Sequence, residues 1–290
     1  MNKGKYVFSQ IMTYFPRWIF EDSVKKYKGD FHAKNLNSYS HCLHLMFGQL
    51  AGCKSLKGIT LVHRSVNKVA YHLGIPVVVD SSSLSKANES RNYRIFEEFG
   101  MWLIRKVRPM YAKENVPDVY LPGWEIFAID STTIPCSIKL AEWALGKYSK
   151  GGVKMHTVLY LRLIEFYDAE KDEIITFITN NFELGSLIIA NIYRNRWQIE
   201  TFFKWIKGNL TVKALWGYSE NAVKIHLWVA ISTYLLLAWV KAELKSPLTI
   251  TKISKVIGAS LLTKRDIREL LNVPEPLTQN QNVNELKLDF

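Results

Sequence analysis

The spacing of hydrophobic residues predicts a mainly helical chain with a short β-rich centre. Up to about residue 112, apolar side chains recur at helical intervals, most clearly in 40–59 and 93–112. Proline and glycine then concentrate in 114–124 and favour a domain boundary there. Short apolar runs beyond it predict buried strands at 124–130 and about 153–162.

The remaining pattern predicts a hairpin followed by long helices. Runs 163–167 and 174–179 flank a polar turn and predict two paired strands. Asn180 and Glu183 resemble a capping box, so we expect a helix over about 181–207, ended by the Gly-Asn pair that follows it. Further helices are expected at 220–244 and, as one basic helix, at 249–272. The apolar run inside the former is short for a membrane span and indicates a buried core helix.

Composition narrows the class of protein. The chain has 290 residues, enough for roughly two domains or for one domain with extensions, and 48% of them are hydrophobic, which suffices for a packed core. We divide the chain into three segments, 1–120, 121–215 and 216–290. A net charge of +12 favours a polyanionic partner. Three cysteines indicate a reducing compartment, and the His-Cys-Leu-His run at 41–44 fits a packed helix better than a metal site.

The predicted long helix carries one acid among several cations. At about 100° per residue, Tyr193, Arg196, Glu200 and Lys207 fall on one face. Arg196 and Glu200 would form an ordinary i,i+4 ion pair on an amphipathic helix; the alternative is a functional polar line. The neighbouring apolar stripe consists of Ile192, Ile199, Phe203 and Ile206.

A second acid ends the first predicted strand. Asp130 fits either a turn residue or a metal ligand, because strand ends open onto the functional edge of a sheet. The loop that follows is either solvated or phosphate-facing, since its Gly-Gly pair permits close backbone approach. Its basic residues are Lys139, Lys147, Lys150 and Lys154.

These pieces resemble the bacterial insertion-sequence transposases of the IS-four type. The pattern Y-x2-R-x3-E-x6-K, met by Tyr193, Arg196, Glu200 and Lys207, is similar to that family's signature, and "AIDSTTI" and "KGGVKMHT" resemble its first catalytic strand and the strand after it. The resemblance runs from residue 8 to about 244. It implies an α/β protein, mostly helical overall, with a helical DNA-binding leader in 1–120, an RNase H-like DDE catalytic core in 121–215 and C-terminal helices in 216–290.

The resemblance also implies a chemistry. Three carboxylates of such enzymes hold two Mg²⁺ ions for phosphoryl transfer at transposon ends, and Asp130 and Glu200 match the first and third. Tyr193, Arg196 and Lys207 would contact the terminal-repeat DNA, and Lys150 and Lys154 of the basic loop are counted with them. The expected partner is double-stranded DNA, both of the terminal inverted repeats and of the target. A second copy of the chain, forming a homodimer, is also expected, and no membrane is. The expected location is the bacterial cytoplasm, at the nucleoid.

The sequence departs from the family pattern at the second aspartate. No "D-x-G-Y"-like motif lies between Asp130 and Tyr193, and an internal deletion accounts for its loss. Asp168 and Asp172 fit solvated turn residues better than substitutes for it. We therefore expect a transposase that is catalytically defective. The alternatives are a non-catalytic relative that binds terminal repeats or dimerises with an intact transposase and inhibits it, and, more remotely, a peripheral membrane protein.

Overall fold

A computed structural model describes residues 4–31, 33–66, 70–75, 79–111, 162–168, 172–179 and 183–272. It is mostly helical with a small sheet. The expected strands at 124–130 and about 153–162 lie outside the described residues, as do Asp130, Lys150 and Lys154. The three-segment division of the chain stays a prediction.

All the regular secondary structure described in the first part of the chain is helical, as its periodicity predicts. Its helices are α1 (Val7–Met12), α2 (Arg17–Lys26), α3 (Ser38–Leu50), α4 (Leu56–Ser65), α5 (Ser81–Ser90) and α6 (Arg94–Tyr111). Asn37 and Ser55 begin α3 and α4 by accepting hydrogen bonds from the backbone N–H groups of Ser40 and Gly58, at 2.7 and 3.1 Å.

The second part holds the expected hairpin and long helices. Strand β1 (Arg162–Asp168) pairs antiparallel with β2 (Glu173–Thr179), so the predicted hairpin is confirmed. The helices that follow are α7 (Ser186–Asn209), α8 (Glu220–Leu244), α9 (Ile250–Ser260) and α10 (Ile267–Leu271). The prediction for α8 is confirmed at both ends, and Ser219 caps it through the Ala222 N–H.

Two predicted boundaries are wrong. Helix α7 begins at Ser186 after an extended Gly185, so Glu183 lies before the helix, and Asn180 lies outside the described residues. The expected single basic helix at 249–272 is broken between α9 and α10. The residues at this break bind the start of α1: the carbonyl groups of Thr263 and Leu261 accept hydrogen bonds from the N–H groups of Val7 and Phe8.

Gln10 closes the same junction from inside the core. Its side chain is fully buried, and its amide nitrogen donates to the carbonyls of Lys5 (2.8 Å) and Arg265 (2.7 Å). Its amide oxygen accepts the N–H of Ile267 at 2.9 Å, the first residue of α10. Since an unmade buried hydrogen bond costs about 1–3 kcal/mol, the hydrogen bonds of Gln10 to Arg265 and Ile267 stabilise the chain at this break.

The main hydrophobic core joins both ends of the described chain. Buried side chains from 7–107 and 216–271 form one cluster, with α8 packed between α3 and α6. By length and composition alone α8 would also fit a membrane span, but 56% of its most apolar window is buried inside the protein. The helix therefore serves as a central core element, as its sequence predicts.

Candidate active site

Helix α7 carries all four residues of the signature. Tyr193, Arg196, Glu200 and Lys207 lie within Ser186–Asn209, and helical geometry places their Cα atoms within an arc of about 60°. Tyr193 is 40% exposed and Lys207 is half-buried. The side chains of Arg196 and Glu200 are outside the described part, so an ion pair between them stays a prediction.

The C-terminal half of α7 is fixed against α8 and α9. Phe202 and Trp205 place their rings against Tyr234, with centroids 5.0 and 4.8 Å apart in edge-to-face geometry. The indole N–H of Trp205 donates to the Thr251 hydroxyl at 2.9 Å. Ile206 of the predicted apolar stripe is buried beside them. These contacts set the rotation of the helix about its axis and hence the direction of the signature face.

A buried polar network holds the connection from α7 to α8. The side-chain oxygen of Gln49 on α3 accepts from the N–H and the hydroxyl of Thr211, at 3.0 and 3.1 Å. Its amide nitrogen lies 3.1 Å from Nε2 of His226. Burial lowers the pKa of His226 to about 4, so this imidazole is neutral at pH 7.

The sequence patterns did not single out Gln49 or His226 as positioning residues. The one available signal is a polar residue inside each apolar helical run, in "MFGQLAG" and "VKIHLWV". That signal is weak, because the partners of Gln49 lie far away in the sequence and periodicity alone does not pair them.

The N-terminal half of α7 packs on the hairpin through a small cluster. Ile164 of β1 contacts Ile189 and Ala190 of α7, and Ile175 and Leu184 lie at its edge. The helix is thus held by the main core at one end and by a two-stranded sheet at the other. The signature face lies between these two supports.

Asp172 is a turn residue of the hairpin. It adopts a left-handed conformation with φ of 53° and is exposed. Its carboxylate accepts the Tyr167 hydroxyl proton at 2.6 Å, a contact that raises the pKa of Tyr167. This agrees with the solvated-turn interpretation of the sequence. The Asp168 side chain lies outside the described residues.

A metal site does not assemble among the side chains that the structure describes. These contain no group of three or more His, Cys, Asp or Glu residues placed to hold a metal ion. Of the predicted ligands, Asp130 lies outside the described ranges and Glu200 is described in its backbone alone. The side chains of both predicted ligands therefore lie outside the part of the chain that the structure describes.

The His-Cys-Leu-His run is part of the core, as its sequence predicts. His41, Cys42 and His44 are all buried on α3. His41 Nε2 lies 2.8 Å from Asn88 Oδ1, which joins α3 to α5. Burial raises the pKa of the Cys42 thiol, so this group is neither a reactive nucleophile nor a ready metal ligand.

Comparison with known protein families gives two separate matches. Residues 161–236 match the family described as "Transposase DDE domain". Residues 3–76 match a "Domain of unknown function (DUF4372)". The first match spans the hairpin, the signature helix and most of α8, and it begins after Asp130, Lys150 and Lys154.

Three relatives point the same way. A Sinorhizobium fredii protein named as a transposase, y4zB, is 32% identical over 126 residues, covering 43% of this chain and 35% of the relative. A Geobacillus stearothermophilus protein named as a transposase for insertion sequence element IS5377 is 39% identical over 84 residues, or 29% of this chain and 22% of the relative. A Synechocystis protein named as a transposase for insertion sequence element IS4SA is 43% identical over 49 residues, or 17% of this chain and 14% of the relative.

These matches support a DDE transposase. The DDE transposase domain family generally uses divalent metal ions. The chain spans about a third or less of the length of the curated relatives it matches. No solved structure matches the chain.

Proposed function

We propose that this chain is an insertion-sequence transposase of the IS-four type that binds transposon-end DNA and has lost strand cleavage and transfer. The observation that carries the proposal is the placement of Tyr193, Arg196, Glu200 and Lys207 on one helix inside the matched DDE region. A single acid among cations on a partly exposed face suits a phosphodiester substrate, because cations attract the backbone and the acid can ligate a metal.

In this proposal the residues have separate roles. Tyr193, Arg196 and Lys207 contact the DNA near the terminal repeat, together with Lys150 and Lys154. Asp130 and Glu200 are the two remaining carboxylates of an RNase H-like site that would hold Mg²⁺. With the second aspartate motif missing from the sequence, metal binding is incomplete and cleavage fails.

Three further features belong to the proposal. The chain binds terminal inverted repeats, acts in the bacterial cytoplasm at the nucleoid, and forms a homodimer. A non-catalytic relative that binds the same repeats, or dimerises with an intact transposase and inhibits it, is the second candidate, and the missing motif favours it.

DNA binding tests the first half of the proposal. Fluorescence anisotropy with terminal-repeat duplex should show binding that weakens with salt, and Lys207→Ala should lower the slope of log affinity against log salt by about 1. Lys213→Ala is the matched control, since Lys213 is an exposed lysine just beyond the same helix. Equal slopes in both variants would remove Lys207 from the interface.

Strand cleavage tests the second half. The purified protein should leave end-labelled terminal-repeat DNA intact in Mg²⁺ or Mn²⁺. Metal-dependent nicking that Glu200→Gln abolishes would overturn the proposed defect and leave an active transposase. Binding without nicking, together with inhibition of an intact relative in a mixed reaction, would favour the second candidate.

A further inference from the structure

A cationic cavity lies between the loop after α2 and helix α5. Its volume is about 760 Å³, and residues of 27–36 and 79–92 form its walls. None of these residues belongs to the signature helix. The cations in its lining are Lys28, Lys34, Lys86 and Arg91.

Arg91 is the most deeply buried of these cations. The residue is 8% exposed, its Nε donates to the Gly29 carbonyl at 3.3 Å, and one terminal nitrogen donates to the Leu36 carbonyl. The other terminal nitrogen is buried with no hydrogen-bond partner among the described residues. Burial lowers the pKa of Arg91, which shows that its charged form is poorly solvated here.

The described surroundings of Arg91 supply little negative charge. Asp30 acts on it through space, but that carboxylate accepts the Ser38 N–H and forms no ion pair with the guanidinium within the described ranges. Asp80, the acid in the described lining, is paired with Arg64. A buried cation without an ion-pair partner is costly, so an anion in the cavity would relieve that cost.

Helix α5 adds to the positive potential. It begins at Ser81 beside the cavity, and its N-cap residue Asp80 makes no side-chain hydrogen bond to the first turn. The N–H groups at a helix start carry a partial positive charge and bind phosphate readily. Ser83, in that first turn, also lines the cavity.

We propose that this cavity binds a phosphate group. Three exposed or half-exposed lysines and a buried guanidinium suit the charge and the many acceptor oxygens of phosphate. The volume exceeds the size of one phosphate, so the group belongs to a larger ligand. That ligand is either a phosphodiester of the DNA backbone or a free phosphate-bearing molecule. The site needs no part of the function assigned to α7.

A double substitution tests the cavity without removing Arg91, whose bonds to Gly29 and Leu36 support the fold. Lys34→Gln with Lys86→Gln removes two lining charges. The control is Lys25→Gln with Lys57→Gln, which removes the same charge from exposed positions outside the lining on α2 and α4. Both double variants keep the same net charge, so any difference between them belongs to the cavity.

Two measurements distinguish the two sources. Pyrophosphate should raise the melting temperature of the full chain and bind by calorimetry, and the cavity variant should lose at least about tenfold in affinity against the control. This result assigns a free phosphate-bearing ligand. The second measurement is the slope of log affinity for duplex DNA against log salt. If this slope is smaller by about 2 in the cavity variant than in the control, the ligand is the DNA backbone.

The proposal fails if the cavity variant and its control give the same pyrophosphate affinity and the same salt slope on DNA. The function proposed for α7 would survive that result, because it is tested through Lys207 and cleavage. Conversely, loss of pyrophosphate binding in the cavity variant stands even if terminal-repeat DNA is not recognised.

Discussion

The helical body, whose buried side chains come from 7–107 and 216–271, has a much larger apolar core than the hairpin of β1 and β2 that contacts α7. In the body, Phe20 lies among Phe15, Phe96 and Phe99, with ring centroids 5.4 to 5.7 Å from its own. In the hairpin, the described cluster holds only Ile164, Ile189 and Ala190, with Ile175 and Leu184 packed at its edge. Burial of apolar area supplies most of the stabilisation and a two-stranded hairpin alone is only marginally stable, so we expect the hairpin to be the less stable of the two regions.

The two regions also differ in what they expose. The body buries polar side chains and satisfies several of them, such as Gln10 and Gln49, across long stretches of sequence. The hairpin instead exposes apolar cross-strand pairs on its outer face, Leu163 with Ile178 and Tyr167 with Ile174. Among the described residues, the C-terminal end of the signature helix has aromatic and hydrogen-bonded contacts with α8 and α9, and its N-terminal end packs on the small apolar cluster of the hairpin.

The largest expected effect comes from the core of the body. Phe20→Ala should lower the free energy of unfolding by about 3–5 kcal/mol, because it removes a fully buried ring and leaves a cavity among three others. Chemical denaturation followed by far-ultraviolet circular dichroism measures this loss.

Ile164→Ala is the corresponding change in the hairpin. We expect it to speed hydrogen exchange in β1 and β2 while the main unfolding transition stays in place. An equal loss of unfolding free energy in Phe20→Ala and Ile164→Ala would mean that the body and the hairpin unfold as one unit.

The local sequence pattern predicts helices and strands correctly where residues close in the sequence determine them. The paired strands of the hairpin, the helix over the apolar run of α8 and the placement of the signature on one helix are all confirmed. Each prediction rests on the local pattern of apolar and polar residues. The roles of the signature residues in DNA binding stay predictions.

Long-range contacts explain the errors. The sequence of 249–272 has helical periodicity throughout, yet the structure breaks it so that Gln10 and the N-terminal amides find partners. The capping box at Asn180 was a local match, but the turn from β2 into α7 places the helix start at Ser186. The polar run at 80–91 predicts a helix start with Ser83 or Ser85 as its cap, but α5 begins at Ser81 and both residues lie inside it.

An intermediate effect is expected from acid. His63 is fully buried, contacts the rings of His44 and Phe47, and has its pKa lowered to about 3, first by burial and then by His44. The unfolded chain gains this proton near pH 6.5 and the folded chain does not. Stability should therefore be full above that pH and fall below it, by about 1.4 kcal/mol per pH unit for this group.

His63→Leu tests that contribution. The variant should match the wild type above neutral pH and flatten the decline between pH 6.5 and 4, as measured by denaturation at each pH. His72→Leu, at an exposed position of the same region, should leave the decline unchanged. A wild-type decline that persists in full after His63→Leu would place the acid sensitivity elsewhere, with His41 and His226 as the other buried histidines whose pKa values are lowered by burial.

The smallest expected effect lies on the outer face of the hairpin. Ile174 and Ile178 are 68% and 66% exposed, so replacing both with threonine, which keeps the β-branched shape, should change stability by no more than about 0.5 kcal/mol. Ile164→Thr, at the buried position opposite Phe177 in the register, should cost clearly more because it places a hydroxyl in the small cluster. A double threonine variant that destabilises as much as Ile164→Thr would show that this face is covered in solution, and the hairpin would then be as well supported as the helical body.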